Sequence, residues 1–195
     1  LIPTISISSA DVTSGSTTND SSISLAFTLS EPSTNFDFSD ITTTGGSIGN
    51  FAGSGSNSTS QAIETTRESK KIGADFALLV TPYYNKPSQN GLIKHYSKIA
   101  DSCDIKQILY NVSSRTACDI LPTTVGTLSN HENIIGIKES LDDEVRIKEL
   151  IEISTNHKDD FYIFSGDDPS FLNLLMMGGH GVISVSYTHL RAHET

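Results

Sequence analysis

The heptapeptide IIGIKES, residues 134–140, is a short apolar run that ends on a lysine, a glutamate and a serine. Similar runs recur along the chain at residues 76–82, 107–112, 161–166 and 181–185, with a shorter one near residues 51–55. These runs are largely continuous rather than alternating, which is typical of parallel strands that are buried on both faces. They therefore predict a parallel β-sheet.

Helical stretches separate the apolar runs. Either Ser58 or Ser60 is a candidate N-cap for a helix ending at Gly73, and further helices are predicted over residues 89–103, 142–155 and 169–177. Successive strands are about 20–30 residues apart, the length of a βα unit. Such units form either an open doubly wound sheet or a closed eight-stranded barrel, and the spacing alone allows both.

The composition changes sharply near residues 51–55. The first 51 residues contain 21 Ser or Thr and no Lys or Arg, and Arg67 is the first basic residue. Within this segment, apolar residues alternate as on one face of a strand at Ile23, Leu25, Phe27 and Leu29, and again over residues 36–38. The sequence of this segment resembles part of a bacterial immunoglobulin-like repeat. We therefore predict an all-β segment at residues 1–51, with an unfolded Ser/Thr-rich leader as the alternative.

Charge excludes several classes of partner. The net charge of −10 disfavours nucleic acid and anionic membrane surfaces, which attract Lys and Arg. No apolar run approaches the roughly 20 residues of a membrane span, and the N-terminus has neither a secretory signal nor a starting Met. We expect a fragment or a processed product, with Cys103 and Cys118 as reduced structural thiols of a cytoplasmic protein. No metal-ligand spacing or phosphate-binding loop is present.

Lys138 is the candidate catalytic residue because it lies at the end of a predicted buried strand. In an α/β barrel, catalytic groups sit at the carboxyl ends of the strands. Burial disfavours a charged ammonium, so the pKa falls and the neutral amine can attack a ketone to form an imine. The alternative is a structural lysine whose head reaches solvent or pairs with Glu139.

Two further side chains follow the preceding strand. Tyr110 lies at its end, where a phenol could transfer protons during imine formation. Arg115 comes shortly after, and its guanidinium suits a carboxylate substrate. Taken singly, Tyr110 is better interpreted as a packed tyrosine with a satisfied hydroxyl, and Arg115 as an ordinary surface arginine.

Several motifs occur in a fixed order along residues 52–185: AGSGSNSTSQAI, VTPYYNKPSQNGL, QILYNVSSRTACDILP, IIGIKES, FSGDD and GGHGVISV. This set resembles the dihydrodipicolinate synthase family of pyruvate-dependent lyases, whose relatives include N-acetylneuraminate lyase. The resemblance implies a partial TIM (β/α)8 barrel with about six of the eight strands. It also implies a cytoplasmic lyase of the class I aldolase type that condenses pyruvate with aspartate semialdehyde for lysine and diaminopimelate biosynthesis.

The same resemblance implies a role for each matching residue. Lys138 would form the Schiff base, Tyr110 would relay protons, and Arg115 would bind the carboxylate of aspartate semialdehyde. Tyr84 would extend the relay into a neighbouring subunit, in a family that often forms dimers of dimers. The pocket would be completed by Gly166, Asp167 and the backbone carbonyl of Ile183. No metal and no cofactor beyond the covalent pyruvate imine would be needed.

The chain also departs from the family pattern. Position 113 is Ser where the family usually has Pro, which is expected to loosen the loop that presents Arg115. The first two strands, with a Thr-Thr pair that completes the relay, have no equivalent, and residues 42–44 match only superficially. Residues 186–195 have no clear helical face and do not continue the pattern of strands and helices, so we predict that they are an unrelated tail. We therefore expect impaired or absent activity, as in a chimeric reading frame.

Two other functions remain open. A sibling aldolase acting on N-acetylneuraminate or a sugar acid would use the same lysine, although Arg115 favours the synthase. A fragment of a surface protein without enzymatic activity is the other alternative, and it depends on residues 1–51.

Overall fold

The computed structural model describes residues 5–8, 26–29, 50–157 and 160–183. The chain divides into two compact units, residues Leu1–Ser47 and Ile48–Thr195. The predicted boundary near residues 51–55 lies close to this division, and the assignment of segments 1–51, 52–185 and 186–195 remains a prediction.

The first unit contains a two-stranded antiparallel ladder. Strand β1 (Ile5–Ser8) pairs with β2 (Ala26–Leu29), with Ile5 opposite Leu29. Strand β2 falls within the alternating stretch at residues 23–29 that predicts a strand. The alternation at residues 36–38 lies outside the described residues, and the immunoglobulin-like resemblance remains a prediction.

The second unit contains a six-stranded parallel sheet in which the strands follow one another in chain order. The strands are β3 (Phe51–Gly53), β4 (Phe76–Val80), β5 (Lys106–Asn111), β6 (Ile134–Glu139), β7 (Tyr162–Ser165) and β8 (Gly181–Val182). A doubly wound sheet reverses its strand order at a switch point, so the sequential order excludes it. The sheet curls into part of a (β/α)8 barrel, which confirms the predicted fold class.

Helices connect the strands. They are α1 (Thr59–Lys71), α2 (Gln89–Ser102), α3 (Ser113–Thr116), α4 (Pro122–Leu128), α5 (Glu144–Asn156) and α6 (Phe171–Met176). Four of them were expected from the sequence, whereas α3 and α4 lie in a stretch for which no helix was predicted. No helix in the described part of the chain is long and apolar enough to cross a membrane.

Local sequence explains where the helices begin and end. The Ser58 hydroxyl, rather than that of Ser60, accepts the backbone N–H of Gln61 and caps α1. The α1 helix ends before Gly73, which has a φ of 99° that only glycine adopts readily. The Asp143 carboxylate accepts two backbone N–H groups at the start of α5, at 2.9 and 3.1 Å. These caps hold the helices in the connections between strands.

The hydrophobic core lies between the sheet and the helices. Ala77 and Leu79 of β4 are fully buried in it, while Phe76, Leu78 and Val80 alternate with them and are only partly buried. The expectation that every strand is buried on both faces is therefore wrong for β4. Successive side chains of a strand point to opposite faces, and the helices cover only one of them in the described residues.

Candidate active site

Lys138 and Tyr110 lie side by side on neighbouring strands. They are paired in the register of β5 and β6, so their side chains leave the sheet on the same face. The Lys138 Nζ atom lies 4.1 Å from the centroid of the Tyr110 ring, and Lys138 is only 4% exposed. The structure thus brings together the two residues that sequence reasoning selected first.

Burial lowers the pKa of the Lys138 ammonium, while the nearby Asp168 carboxylate opposes this effect and raises the pKa. The net direction is downward because loss of hydration disfavours the charged form. A lowered pKa increases the fraction of neutral amine near neutral pH. The neutral amine is the form that can attack a carbonyl carbon.

The alternation along β6 explains why Lys138 faces away from the helices. Ile137 packs in the core beneath the helices, and the Glu139 carboxylate bonds to Arg146 of α5, so these two residues occupy the helix side. Lys138 lies between them in sequence and points to the opposite, inner face. The alternative in which Lys138 pairs with Glu139 or reaches solvent is therefore wrong.

Gly166 contacts the lysine stem directly. A Cβ atom at position 166 would lie 2.8 Å from Lys138 Cε and closer still to Ser140 Oγ. The Gly166 N–H donates to the Glu139 carbonyl at 2.7 Å, which fixes this approach. The absence of a side chain therefore leaves room for the lysine at the end of β7.

Asp167 and Ile183 are held at the same end of the sheet by other contacts. The Asp167 carboxylate accepts the backbone N–H of Ser170 at 3.1 Å and its hydroxyl at 2.9 Å, so it caps the turn into α6. The Ile183 N–H donates to the Ser165 carbonyl at 2.9 Å and continues the pairing of β8 with β7. Their predicted contributions to a pocket remain predictions.

Arg115 and Tyr84 lie on exposed segments that follow β5 and β4. Arg115 belongs to α3, a helical turn where a loosened loop was expected. The turn is anchored because the Thr81 hydroxyl donates to Thr116 Oγ1 at 2.9 Å. Tyr84 is 87% exposed and has a positive φ of 71°. Among the described residues, no hydrogen bond, ion pair or ring contact joins Arg115 or Tyr84 to the Lys138–Tyr110 pair, so their roles also remain predictions.

Sequence reasoning missed a buried polar network on the helix side of the same strand ends. Asn111 and Glu139, the residues directly after Tyr110 and Lys138, are bonded to each other through the Asn111 amide at 3.0 and 3.1 Å. Arg146 donates to Glu139 at 2.7 Å and to Asp119 at 3.0 Å. The only signal in the sequence was the placement of three charged residues near buried segments, and charge alone does not reveal a partner.

Sequence reasoning also missed two polar groups on the inner side. Asp168 is the carboxylate that acts on Lys138, although Asp167 was the residue selected from the FSGDD motif. The Ser140 hydroxyl oxygen is buried next to Gly166 and has no hydrogen-bond partner among the described residues. Within those residues, no cluster of three or more His, Cys, Asp or Glu side chains could hold a metal ion. Both cysteines are buried free thiols.

Comparison with known proteins places this arrangement in context. The model of the Dihydrodipicolinate synthetase family matches residues 38–194, which extends beyond the resemblance at 52–185 on both sides. The 4-hydroxy-tetrahydrodipicolinate synthase of Pseudomonas syringae pv. syringae is 50% identical over 146 residues, or 75% of this chain and 49% of that protein. The chain thus spans about half the length of the curated relatives it matches.

Solved structures agree with the sequence comparisons. The chloride-inhibited dihydrodipicolinate synthase from Acinetobacter baumannii, complexed with pyruvate, superposes with a TM-score of 0.67 at 44% identity. The comparison covers 71% of this chain and 47% of that one. The 4-hydroxy-tetrahydrodipicolinate synthase from Methylacidiphilum fumariolicum SolV gives a TM-score of 0.68 at 47% identity, covering 71% and 46% of the two chains.

Proposed function

The chain belongs to the dihydrodipicolinate synthetase family, and from that premise we propose that it condenses pyruvate with aspartate semialdehyde through a Schiff base on Lys138. The proposed activity is that of a 4-hydroxy-tetrahydrodipicolinate synthase, a lyase of the class I aldolase type in lysine and diaminopimelate biosynthesis. The observation that carries this proposal is the buried Lys138 amine over the Tyr110 ring, with a pKa lowered by burial.

The first half of the reaction uses the lysine amine. Neutral Lys138 attacks the ketone carbon of pyruvate, and the resulting carbinolamine loses water to give an imine. Tyr110, which lies against the amine, is the proposed group that moves protons in these steps. The imine withdraws electrons from the neighbouring methyl group. The methyl carbon loses a proton, and the imine becomes an enamine.

The second half uses the nucleophilic enamine carbon. It attacks the aldehyde carbon of aspartate semialdehyde and forms a carbon–carbon bond. The amino group of the former semialdehyde then attacks the imine carbon, closes the ring and expels Lys138 as a free amine. The protonated imine serves as the electron sink in these steps, and no further cofactor enters this scheme.

The remaining residues have proposed supporting roles. Arg115 binds the carboxylate of aspartate semialdehyde, for which a guanidinium offers two parallel donors. Gly166, Asp167 and the Ile183 carbonyl shape the pyruvate pocket, and the contact of Gly166 with the lysine stem supports this role. Tyr84 extends the proton relay towards a second subunit, and its 87% exposure leaves it free to do so.

We further propose a homo-oligomer, a dimer of dimers, located in the cytoplasm. The biosynthetic activity of the named relatives supports this location. The strongly acidic charge, −10 overall, disfavours nucleic acid and anionic membranes as partners.

Borohydride trapping tests the proposal directly. The purified chain is incubated with pyruvate and reduced, and the modified peptide is then located by mass spectrometry. We expect one reduced pyruvate on the peptide that contains Lys138, and none in the Lys138→Arg variant, whose guanidinium cannot form the imine. Lys148→Arg is the matched control, because Lys148 lies on the exposed side of α5 and should leave trapping unchanged.

Substrate profiling separates the candidate reactions. Turnover with aspartate semialdehyde would support the synthase, whereas turnover only with N-acetylneuraminate or a sugar acid would support a sibling aldolase. A folded chain that gives no pyruvate adduct would contradict the proposed function and favour the alternative of a fragment without enzymatic activity.

A further inference from the structure

Arg146 of α5 joins two carboxylates that belong to different parts of the chain. Its Nε atom donates to Glu139 Oε2 at 2.7 Å, and its Nη atoms donate to the two oxygens of Asp119 at 3.0 and 3.2 Å. It also donates to the carbonyl of Ile120. Arg146 is 8% exposed; its bond to Glu139 is fully buried, whereas the Asp119 side chain is 35% exposed.

One side of this network lies directly behind the reactive pair. Glu139 follows Lys138, and Asn111 follows Tyr110. Asn111 and Glu139 are register partners at the end of the β5–β6 ladder. The Asn111 amide bridges both oxygens of Glu139, and the backbone N–H groups of Ser140 and Leu141 donate to Glu139 Oε1 at 2.9 Å. The ends of both strands are therefore tied together by side chains as well as by the ladder.

The other side of the network holds the segment that follows α3. The Asp119 carboxylate accepts from Arg146 and from the Asn111 side-chain NH2 at 2.8 Å, while the Asn111 side-chain oxygen Oδ1 accepts the N–H of Ile120 at 3.2 Å. Arg115 lies on α3, only four residues before Asp119. These bonds hold the segment after α3 against the end of β5, and together with the Thr81–Thr116 bond they bracket the turn that carries Arg115.

Stability alone is a weak reason to bury such a network. Removing charges from water is costly, and a buried ion pair can often be replaced by packed apolar residues without loss of stability. Its distinctive property is geometric, since the planar guanidinium fixes the directions of its bonds to both carboxylates.

We infer that Arg146 is a positioning residue with two separable effects. Through Glu139 it holds the end of β6 so that the Lys138 amine stays over Tyr110. Through Asp119 it holds the segment after α3, and with it the location of Arg115. The inference rests on the proposed function, in which Lys138 forms the imine and Arg115 binds the second substrate.

Two conservative variants separate the effects. Glu139→Gln keeps the shape of the side chain but removes the charge that Arg146 grips, and we expect the rate of pyruvate trapping to fall about 10- to 100-fold. Asp119→Asn should leave trapping within about twofold while raising the KM for aspartate semialdehyde about tenfold, since both bonds from Arg146 lose their charge assistance and one accepting oxygen becomes an amide nitrogen. Gln89 still donates to the Asp119 carbonyl at 2.7 Å, so the segment remains attached in this variant.

Arg146→Lys provides the second test if Glu139→Gln does not fold. An ammonium can contact one carboxylate but cannot reproduce the bonds to both. If it keeps the contact with Glu139, only the KM for aspartate semialdehyde should change; if it keeps the contact with Asp119, only the rate of trapping should change. Folding of every variant is checked by circular dichroism. A folded Glu139→Gln variant that traps pyruvate at the parent rate would overturn the inference, as would equal effects of all variants on both steps.

A separate readout distinguishes failure of the inference from failure of the proposed function. If the parent chain gives no pyruvate adduct, the proposed function fails, and acetylation of Lys138 by acetic anhydride is followed against pH instead. Displacement of the amine towards water in Glu139→Gln should move the midpoint of labelling to higher pH. An unchanged midpoint would overturn the inference whatever the reaction of the protein.

Discussion

Replacing Gly166 by alanine is the sharpest test of the site geometry. The added Cβ atom would lie 2.8 Å from Lys138 Cε, whereas carbon atoms in good contact are about 3.5–4.0 Å apart. The lysine stem must therefore move by about 1 Å, and a displacement of that size can reduce a reaction rate about 100-fold. Overpacking of a dense site costs about 1–3 kcal/mol of unfolding free energy.

The assay measures both quantities on the same sample. The rate of pyruvate trapping at Lys138 reports the position of the amine, and urea unfolding reports the free energy. Gly53→Ala is the matched control, because a Cβ atom at position 53 has no neighbour within 4 Å. It should leave trapping unchanged.

A second variant identifies which neighbour matters. In Gly166→Ala combined with Ser140→Ala, the contact with the Ser140 hydroxyl is removed and the contact with Lys138 remains. Trapping should stay slow in this double variant. Trapping at the parent rate in Gly166→Ala itself would refute the claim that Gly166 makes room for the lysine.

Three further predictions concern single side chains. Burial lowers the pKa of His95 to about 4, so the unfolded chain binds more protons than the folded one and stability should fall as the pH drops from about 6.5 to 4. Urea unfolding at several pH values should show a weaker dependence of the unfolding free energy on pH for His95→Gln. An equally steep dependence in that variant would contradict this assignment. Asp143→Ala removes the N-cap of α5 and should cost about 1 kcal/mol, measured by thermal or urea unfolding. Lys138→Met should abolish pyruvate trapping. It should also raise the unfolding free energy at pH 7, because the lowered pKa of Lys138 means that the fold disfavours the ammonium. This increase in unfolding free energy should shrink as the pH rises towards the ordinary lysine pKa of about 10.4, where the parent chain is no longer penalised.

The strands were predictable because each is a short apolar run with a polar end. Helix α1 was predictable from its serine cap and the glycine that follows it, α2 from the run after Pro87, and α5 from its apolar spacing and the acid near its start. By contrast, α4 has the sequence PTTVGTL, in which Thr and Gly weaken the helical signal and only Val125 and Leu128 provide large buried side chains. Its remaining signal was Pro122, which is favoured at the first position of a helix.

The site was predictable where its residues are informative one at a time. A lysine inside an apolar run suggests chemistry, and the register of β5 with β6 then places Tyr110 beside it. The bond between Asp119 and Arg146 depends instead on residues 27 positions apart, and its existence is decided by how α5 packs on the sheet. The charge of Asp168 on Lys138 also requires the turn after β7 to be in place.

The alternation along β6 has a consequence for engineering. Lys138 and Glu139 are adjacent in sequence but serve opposite sides of the sheet, one towards the proposed reaction and the other towards Arg146. Insertion of a single residue within β6 would exchange these directions, since side chains alternate with a period of two. With the insertion before Ile137, the Lys138 ammonium would take the place of Glu139 and face a guanidinium among the helices, and Ile137 would occupy the inner place of Lys138. Insertions or deletions in this strand must therefore come two residues at a time to keep each side chain on its own face. Substitutions that keep the length can change the residues on one face and leave the other face unchanged.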